Sequence, residues 1–352
     1  MTRRVLVVRL DGAGDVLLAG PAVRAVAAAA EVALLCGPAG TEAGAILPGV
    51  RRVLEWSAPW VLTPAPPVRP DDVRAVVEEV GRGGFAEAVV LTSFHQSPLP
   101  TALLLRLAGI ERITGASVDH PGALLDVRLR PGSDASDDLP EELPEPERAL
   151  RIAAAAGFRL PAGDDGRLAV RIPPAADPPT DPPYVVLHPG AAVTARRWPA
   201  GHFRHAAELL AGYGLGVVVT GGPDERELTA YVAGRIGVDL GGRTGLAELA
   251  AVLAGAGAVV VGNTGAAHLA AAVGTPVVSL FAPVVPALKW RPYRVPQVLL
   301  GDQGAPCRDT RARECPVPGH PCLSQVSPRD VVAAARQLID RGRLSAHRAV
   351  PA

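Results

Sequence analysis

The chain has 352 residues, 48% of them hydrophobic and 20% charged, with a formal net charge of +0. That length supports two domains of ordinary size, and that composition is globular rather than disordered. A balanced charge provides no field to gather nucleic acid, so nucleic acid is not expected as a partner. The cations are arginines except for Lys289, and with 38 glycines and 36 prolines a lone glycine pair carries little weight.

Met1-Thr2-Arg3-Arg4 leads straight into an apolar run, with no secretory signal pattern. The longest stretch free of charged residues and histidine, Leu269 to Leu288, is broken by Thr275, Ser279 and three prolines, Pro276, Pro283 and Pro286. It suits strands and turns better than a membrane span. A cytoplasmic location is expected, with peripheral contact at the inner membrane surface left open. Cysteines in that compartment are expected to be reduced.

Arg4–Leu10 (RVLVVRL) is a near-continuous apolar run of strand length, as in a strand covered on both faces. A turn follows at Asp11–Asp15 (DGAGD), then a helical stretch from Val16 to Ala30 and a second strand at Glu31–Cys36. Ala88–Thr92 reads as another strand, with a polar loop Ser93-Phe94-His95-Gln96-Ser97-Pro98 and a helix at Thr101–Ala108. Pro131 to Pro146 is acidic and proline-rich and reads as a solvated surface loop. A helix is expected at Glu147–Gly157.

Six of the eleven residues from Pro173 to Pro183 are proline, which marks an extended linker between two domains. The first domain is then residues 1–172, the linker 173–183, the second domain 184–340, and the tail 341–352. In the second domain Tyr184–His188, Gly216–Thr220 and Val259–Val261 read as strands, with Val277–Phe281 as the next. Helices are expected at Ala200–Tyr213, Glu225–Arg235, Leu246–Ala254 and Ala266–Val273. Asp239–Gly241 is a short strand or turn. Strands alternating with helices imply an α/β fold with parallel sheets.

In such sheets ligands gather at the carboxyl ends of the strands. In the second half those ends carry His188-Pro189-Gly190, Thr220-Gly221-Gly222 and Gly262-Asn263-Thr264-Gly265, with Arg196 and Arg197 in the loop after the first. A glycine turn that opens a helix presents free N–H groups to an anion, and a guanidinium can pair a diphosphate. His268 lies four residues after Thr264, so both are expected to project from one face of the same first helical turn. In the first half Asp15 has two readings, a general base or a carboxylate favoured by a helix N-terminus. Leu17 stands where G-x-G-x-x-G needs its last glycine, and no G-x-x-x-x-G-K-[ST] loop exists, which counts against a dehydrogenase and a P-loop enzyme. Cys307, Cys315, Cys322 and His320 could form a Cys3His zinc site, but spacings of eight and seven residues lack a C-x-x-C knuckle, so no metal is expected.

Three segments, RVLVVRLDGAGDVLLAGPAVRAV, HPGAAVTARRWPAGHF and GNTGAAHLAAAVGTPVVSLFAP, resemble glycosyltransferase family 9, the ADP-heptose:lipopolysaccharide heptosyltransferases and their relatives. The resemblance implies a GT-B fold, two Rossmann-like α/β/α domains facing across a cleft. It implies an inverting, metal-independent transfer of a heptose-like sugar from a nucleotide-diphosphate donor to a saccharide or glycolipid acceptor in lipopolysaccharide core synthesis, without a cofactor. Asp15 falls on the family's catalytic base and Arg196 on its diphosphate-binding Lys. The implied donor contacts are His188, Gly190, Arg196, Arg197, Gly221, Gly222, Asn263, Thr264, Gly265 and His268. Gly14, Ser93, His95 and Gln96 lie on the acceptor side. Asn263 stands where the family more usually has Asp. Two other readings share this fold, a non-catalytic nucleotide-sugar binder and a nucleotide-sugar epimerase.

Overall fold

The computed structural model describes residues 3–132, 138–173, 178–181 and 183–348, with side chains described through residue 342. The chain divides into two compact units, Met1–Arg171 and Ile172–Ala352. Residues 174–177 and 182 of the expected linker lie outside the described residues.

The first unit is built on strands β1 (Arg4–Arg9), β2 (Glu31–Cys36), β3 (Val50–Glu55), β4 (Glu87–Val90), β5 (Arg112–Ala116) and β6 (Val127–Leu129). They form one parallel sheet in the order β3-β2-β1-β4-β5-β6. Side chains alternate across a strand. Leu6, Val8 and Leu10 pack with Val76 and Val80 of helix Pro70–Arg82 and with Ala102 and Leu105 of helix Leu99–Leu107. Val5 and Val7 point the other way and are also fully buried. On the other side, helices Gly20–Ala27 and Glu145–Ala155 pack on each other and on β2 and β5. Burial on both faces is why the run RVLVVR has no polar alternation. Each such Val or Leu contributes roughly 1.5–3 kcal/mol.

The second unit repeats the plan with β7 (Tyr184–His188), β8 (Gly216–Val219), β9 (Val238–Asp239), β10 (Ala258–Gly262), β11 (Val277–Leu280) and β12 (Gln297–Leu300), in the order β9-β8-β7-β10-β11-β12. One face of this sheet, including Val185, Leu187, Val219, Val260 and Val278, packs on Phe203 and Leu210 of helix Ala200–Gly212. The same core takes in Val331, Ala335 and Leu338 of helix Pro328–Arg348. In each unit the strand order reverses between the first and fourth strands, at β1/β4 and β7/β10. Ligand crevices of doubly wound sheets open at that reversal.

Several elements differ from expectation. The helix read from Val16 to Ala30 is two helices, Ala13–Leu18 and Gly20–Ala27, with Pro21 at the start of the second. Proline lacks the N–H that would continue the first helix but fits an opening turn. The helix expected at Glu225–Arg235 is a 3-10 turn, Pro223–Glu225, then Arg226–Ala233, closed by Gly234 at φ 54°. The acidic segment is not wholly solvated: Glu145 and Pro146 are buried at the start of helix Glu145–Ala155, while residues 133–137 lie outside the described residues. Helix Pro328–Arg348 runs into the segment read as a tail. Among the described residues no helix is long and apolar enough to cross a membrane.

Candidate functional site

In the first unit β1 ends at Arg9, and the chain turns into helix Ala13–Leu18. Asp15 lies within the first turn of that helix rather than at the junction before it. Its Oδ1 accepts from Arg9 Nη2 at 2.8 Å, and its side chain stays 26% exposed. Arg9 is buried. Its Nε faces Asp11 Oδ2 at 2.9 Å, Nη2 donates to Ser93 Oγ at 2.8 Å, and Nη1 donates to Glu145 Oε2 at 3.4 Å. Gln96 links the same group: its Nε2 donates to Asp11 Oδ1 at 2.6 Å and its Oε1 accepts from the Ser93 N–H at 3.2 Å.

Burial works against the Arg9 charge, but Asp11, Asp15 and Glu145 together outweigh it and hold its pKa above the ordinary value. Burial pushes the Asp11 carboxyl up and Asp15 adds to this, while Arg9 and the Gln96 hydrogen bond oppose it. Of the expected acceptor-side residues, Ser93 and Gln96 join the cluster, and Gly14 precedes Asp15 in the helical turn. His95 is exposed, its ring edge-on to Phe94 at 5.3 Å.

In the second unit the loops after β7, β8 and β10 share one edge of the sheet. His188, half-buried at the end of β7, has Nδ1 3.0 Å from Thr220 Oγ1. Burial holds its pKa below the usual imidazole value, with the Glu225 charge opposing. Glu225 Oε2 accepts from the Gly222 N–H at 2.9 Å. A Cβ at Gly190 would lie 2.0 Å from Glu225 Oε1, and one at Gly221 would lie 3.0 Å from Oε2, so both glycines make room for this carboxylate. The loop after β7 reaches β10: Arg196 Nη1 donates to the Asn263 carbonyl at 3.3 Å. Arg197 is exposed and its Nε donates to the Ala191 carbonyl at 2.8 Å, tying its own loop.

Asn263 is 4% exposed, and neither amide atom of its side chain has a hydrogen-bond partner. Thr264 occupies the N-cap of helix Gly265–Ala272 with extended backbone, rather than sharing its first turn with His268. Its buried hydroxyl makes no cap bond and has no other partner. The N–H groups of this helix start therefore have no side-chain cap, and His268, 5% exposed, lies on its inner side. A helix N-terminus of this kind suits phosphate oxygens.

Arg9, Asp11, Glu145 and Glu225 were not singled out from the sequence. Arg9 carried a signal, being the one charge inside the apolar run VLVVRL. Glu145 carried none, since it is one acid among many in a proline-rich stretch. In the second unit Cys307, Cys315 and Cys322 lie near one another, and burial together with the other two thiols pushes Cys322 up to about 12. All four cysteines are free. Among the described residues no group of three or more His, Cys, Asp or Glu side chains could hold a metal ion.

Two Rossmann-like units in succession, each with its polar turns at the order reversal, define the GT-B class of fold. Solved structures of that class match nearly the whole chain. A family 9 glycosyltransferase from Veillonella parvula matches at TM-score 0.75 and 18% identity, covering 96% of this chain and 98% of that one. The Escherichia coli ADP-heptose lipopolysaccharide heptosyltransferase II matches at TM-score 0.73 and 19% identity, covering 97% and 99%. The chain belongs to glycosyltransferase family 9 (heptosyltransferase), whose profile matches residues 137–320, just over half of it. It is 36% identical over 146 residues to lipopolysaccharide heptosyltransferase 1 of Pseudomonas aeruginosa, covering 40% of this chain and 39% of that one. It is 32% identical over 165 residues to an Escherichia coli lipopolysaccharide heptosyltransferase 3, covering 44% and 47%. These matches span less than half the length of either relative.

Proposed function

We propose that the chain is an inverting, metal-independent glycosyltransferase. It moves a heptose-like sugar from an ADP-linked donor to a saccharide or glycolipid hydroxyl in cell-envelope glycan synthesis. The observation that carries this reading is the start of helix Gly265–Ala272. There an uncapped helix end, the buried Asn263 amide and Thr264 hydroxyl without partners, and Arg196 on the Asn263 carbonyl converge on one spot. Buried polar groups are normally paired, so a set left unpaired at a helix N-terminus fits a ligand with both phosphate and hydroxyl oxygens.

In this reading Asp15 takes the proton of the acceptor hydroxyl, which attacks the anomeric carbon from the face opposite the diphosphate and inverts it. The charge developing on the leaving diphosphate is met by Arg196, by Arg197 and by the N–H groups that open helix Gly265–Ala272, beginning at Gly265. Gly190, Gly221 and Gly222 let the backbone approach the nucleotide, with His188 and His268 beside it. The names of the relatives, heptosyltransferases acting on lipopolysaccharide, support the donor sugar and the acceptor class. The reaction would run in the cytoplasm, with a glycolipid acceptor reached at the inner membrane surface.

The test is Asp15→Asn, read by ADP-heptose binding and by single-turnover transfer to a deacylated, heptose-free lipopolysaccharide core. Donor binding should stay within about 2-fold while transfer falls by about 10²–10⁴-fold, the range of general-base contributions. Lost binding with unimpaired transfer in the pre-bound complex overturns the assignment. A thermal-shift series in which UDP-, GDP- or dTDP-sugars stabilise the chain and ADP-heptose does not overturns the donor.

A further inference from the structure

We propose that Arg9 is a positioning residue for Asp15: its guanidinium fixes the Asp15 carboxylate to the end of the first strand, and Glu145 in turn fixes the guanidinium. The proposal rests on the reading of Asp15 as the base. Three observations carry it. First, Arg9 is buried where β1 ends, and acceptors from three separate segments surround it: Asp11 and Asp15 just after β1, Ser93, and Glu145. A buried guanidinium is costly unless opposite charges and acceptors surround it, and here Nη1 and Nη2 are hydrogen-bonded while Nε faces the Asp11 carboxylate. Second, burial is graded along the cluster. The side chains of Glu145, Arg9, Asp11 and Asp15 are 1%, 3%, 12% and 26% exposed. The interior members anchor, and the outermost one is presented.

Third, the geometry needs a planar fork. Nε faces Asp11 while Nη2 serves both Asp15 and Ser93, and Glu145 Oε2 lies 3.4 and 3.5 Å from Nη1 and Nη2. A lysine ammonium is a point charge and cannot hold three carboxylates in one plane. An ion pair that served stability alone would gain little from an exposed member, since exposed pairs contribute little. Orientation of a reacting group is different: a misplacement of about 1 Å costs roughly 10²-fold in rate.

The experiment compares Arg9→Lys, Arg9→Ala and the double variant Arg9→Met with Glu145→Gln. The double variant removes the Glu145 carboxylate together with the guanidinium it pairs with, so a poorly folding Arg9→Ala does not end the test. The probes are ADP-heptose and a deacylated, heptose-free lipopolysaccharide core, with ADP affinity measured by calorimetry. Expected are an ADP Kd and a donor KM within about 2-fold of the parent, and a kcat lowered about 10-fold by Arg9→Lys and about 10²-fold by the other two. Methylguanidinium should restore part of the kcat of Arg9→Ala and none in Asp15→Asn. A double variant with the parent kcat overturns the proposal. So does a loss as large in Arg9→Lys as in Arg9→Ala with no rescue, because that pattern belongs to a structural ion pair. An Asp15→Asn that turns over like the parent, or a parent chain inert with these probes, overturns the reading of Asp15 and the proposal with it. An inactive Asp15→Asn beside fully active Arg9 variants overturns only the proposal.

Discussion

Replacing Gly262 by Ala tests whether the Arg196 loop is held in place by contact with β10. A Cβ at Gly262 would lie 2.9 Å from the Arg196 carbonyl oxygen, about 0.5 Å inside the 3.4 Å at which ordinary contact begins. Gly262 is not among the glycines with a left-handed φ, so the effect is steric and not one of backbone strain. The loop has little room to yield. The Arg196 N–H donates to the Val193 carbonyl at 3.0 Å, and the neighbouring Ala195 N–H donates to the Arg313 carbonyl at 3.0 Å. Forcing a methyl into such a contact costs about 1–3 kcal/mol. The same shift carries the Arg196 guanidinium off the Asn263 carbonyl, which it meets at 3.3 Å. ADP binding should weaken by about 10-fold, or about 1.4 kcal/mol. Calorimetry with ADP and a urea melt read the two effects. Gly212→Ala is the control: its Cβ would meet nothing within 4 Å at the last residue of helix Ala200–Gly212. It should stabilise the chain by about 0.5–1 kcal/mol and leave ADP binding alone. A Gly262→Ala chain that binds ADP like the parent, with an unchanged urea midpoint, refutes the reasoning.

Three other outcomes are expected. Gly190→Ala should displace the Glu225 carboxylate from the Gly222 N–H it meets at 2.9 Å, costing about 1–2 kcal/mol, whereas the double change with Glu225→Ala should cost no more than Glu225→Ala alone. Additive losses in urea melts would show that the two residues do not share that space. Asn263→Leu removes a buried amide without partners, so the unliganded chain should be unchanged or about 1 kcal/mol more stable, while ADP-heptose binding weakens more than ADP binding. Equal weakening of both ligands in calorimetry would remove the sugar from that contact. Burial pushes the Cys36 and Cys322 thiols up to about 12, against about 8.5 in an unfolded chain. Raised folded values mean that this contribution is fully present below about pH 8.5 and lost as pH rises toward 12. The urea midpoint should fall over that window and fall less in a Cys36→Ala, Cys322→Ala chain; parallel pH curves would count against buried neutral thiols.

Most interior strands were legible because burial on both faces leaves an apolar run, but interior β5, reading RITGA, was not. Glu31–Cys36, Tyr184–His188 and helix Leu246–Ala254 stand where the sequence puts them. Three of the four edge strands were not legible, β9 alone overlapping the short strand or turn expected at Asp239–Gly241. β3 reads VRRVLE with exposed arginines, β6 is three residues long, and no residue of β12 is fully buried. Such strands need a neighbour before they have a pattern. Helix Pro70–Arg82 carries local signals of its own: Pro70 at its start, Asp71 and Asp72 in its first turn, and Val76 and Val80 on one face.

The two strand-end sites differ in how their polar groups are satisfied, and that difference decides what a sequence can reveal of each. The second-unit site is assembled from three strand-end loops, each with a sequence signal of its own. Turn glycines, a helix start and an Arg pair appear in the sequence as such, and only the Glu225 plug needed coordinates to find. The first-unit site is assembled across the chain. Arg9 and Glu145 are 136 residues apart, and Ser93 lies 84 residues beyond Arg9, so no spacing rule joins them. Asp15 alone therefore looked like an ordinary helix-start carboxylate. What separates it from one is a buried partner with a charge of its own to satisfy. A capping carboxylate needs only the N–H groups of its helix, whereas this one is held by a guanidinium that two deeper carboxylates already hold in place. That arrangement fixes direction as well as charge, which a reacting group requires and a helix cap does not.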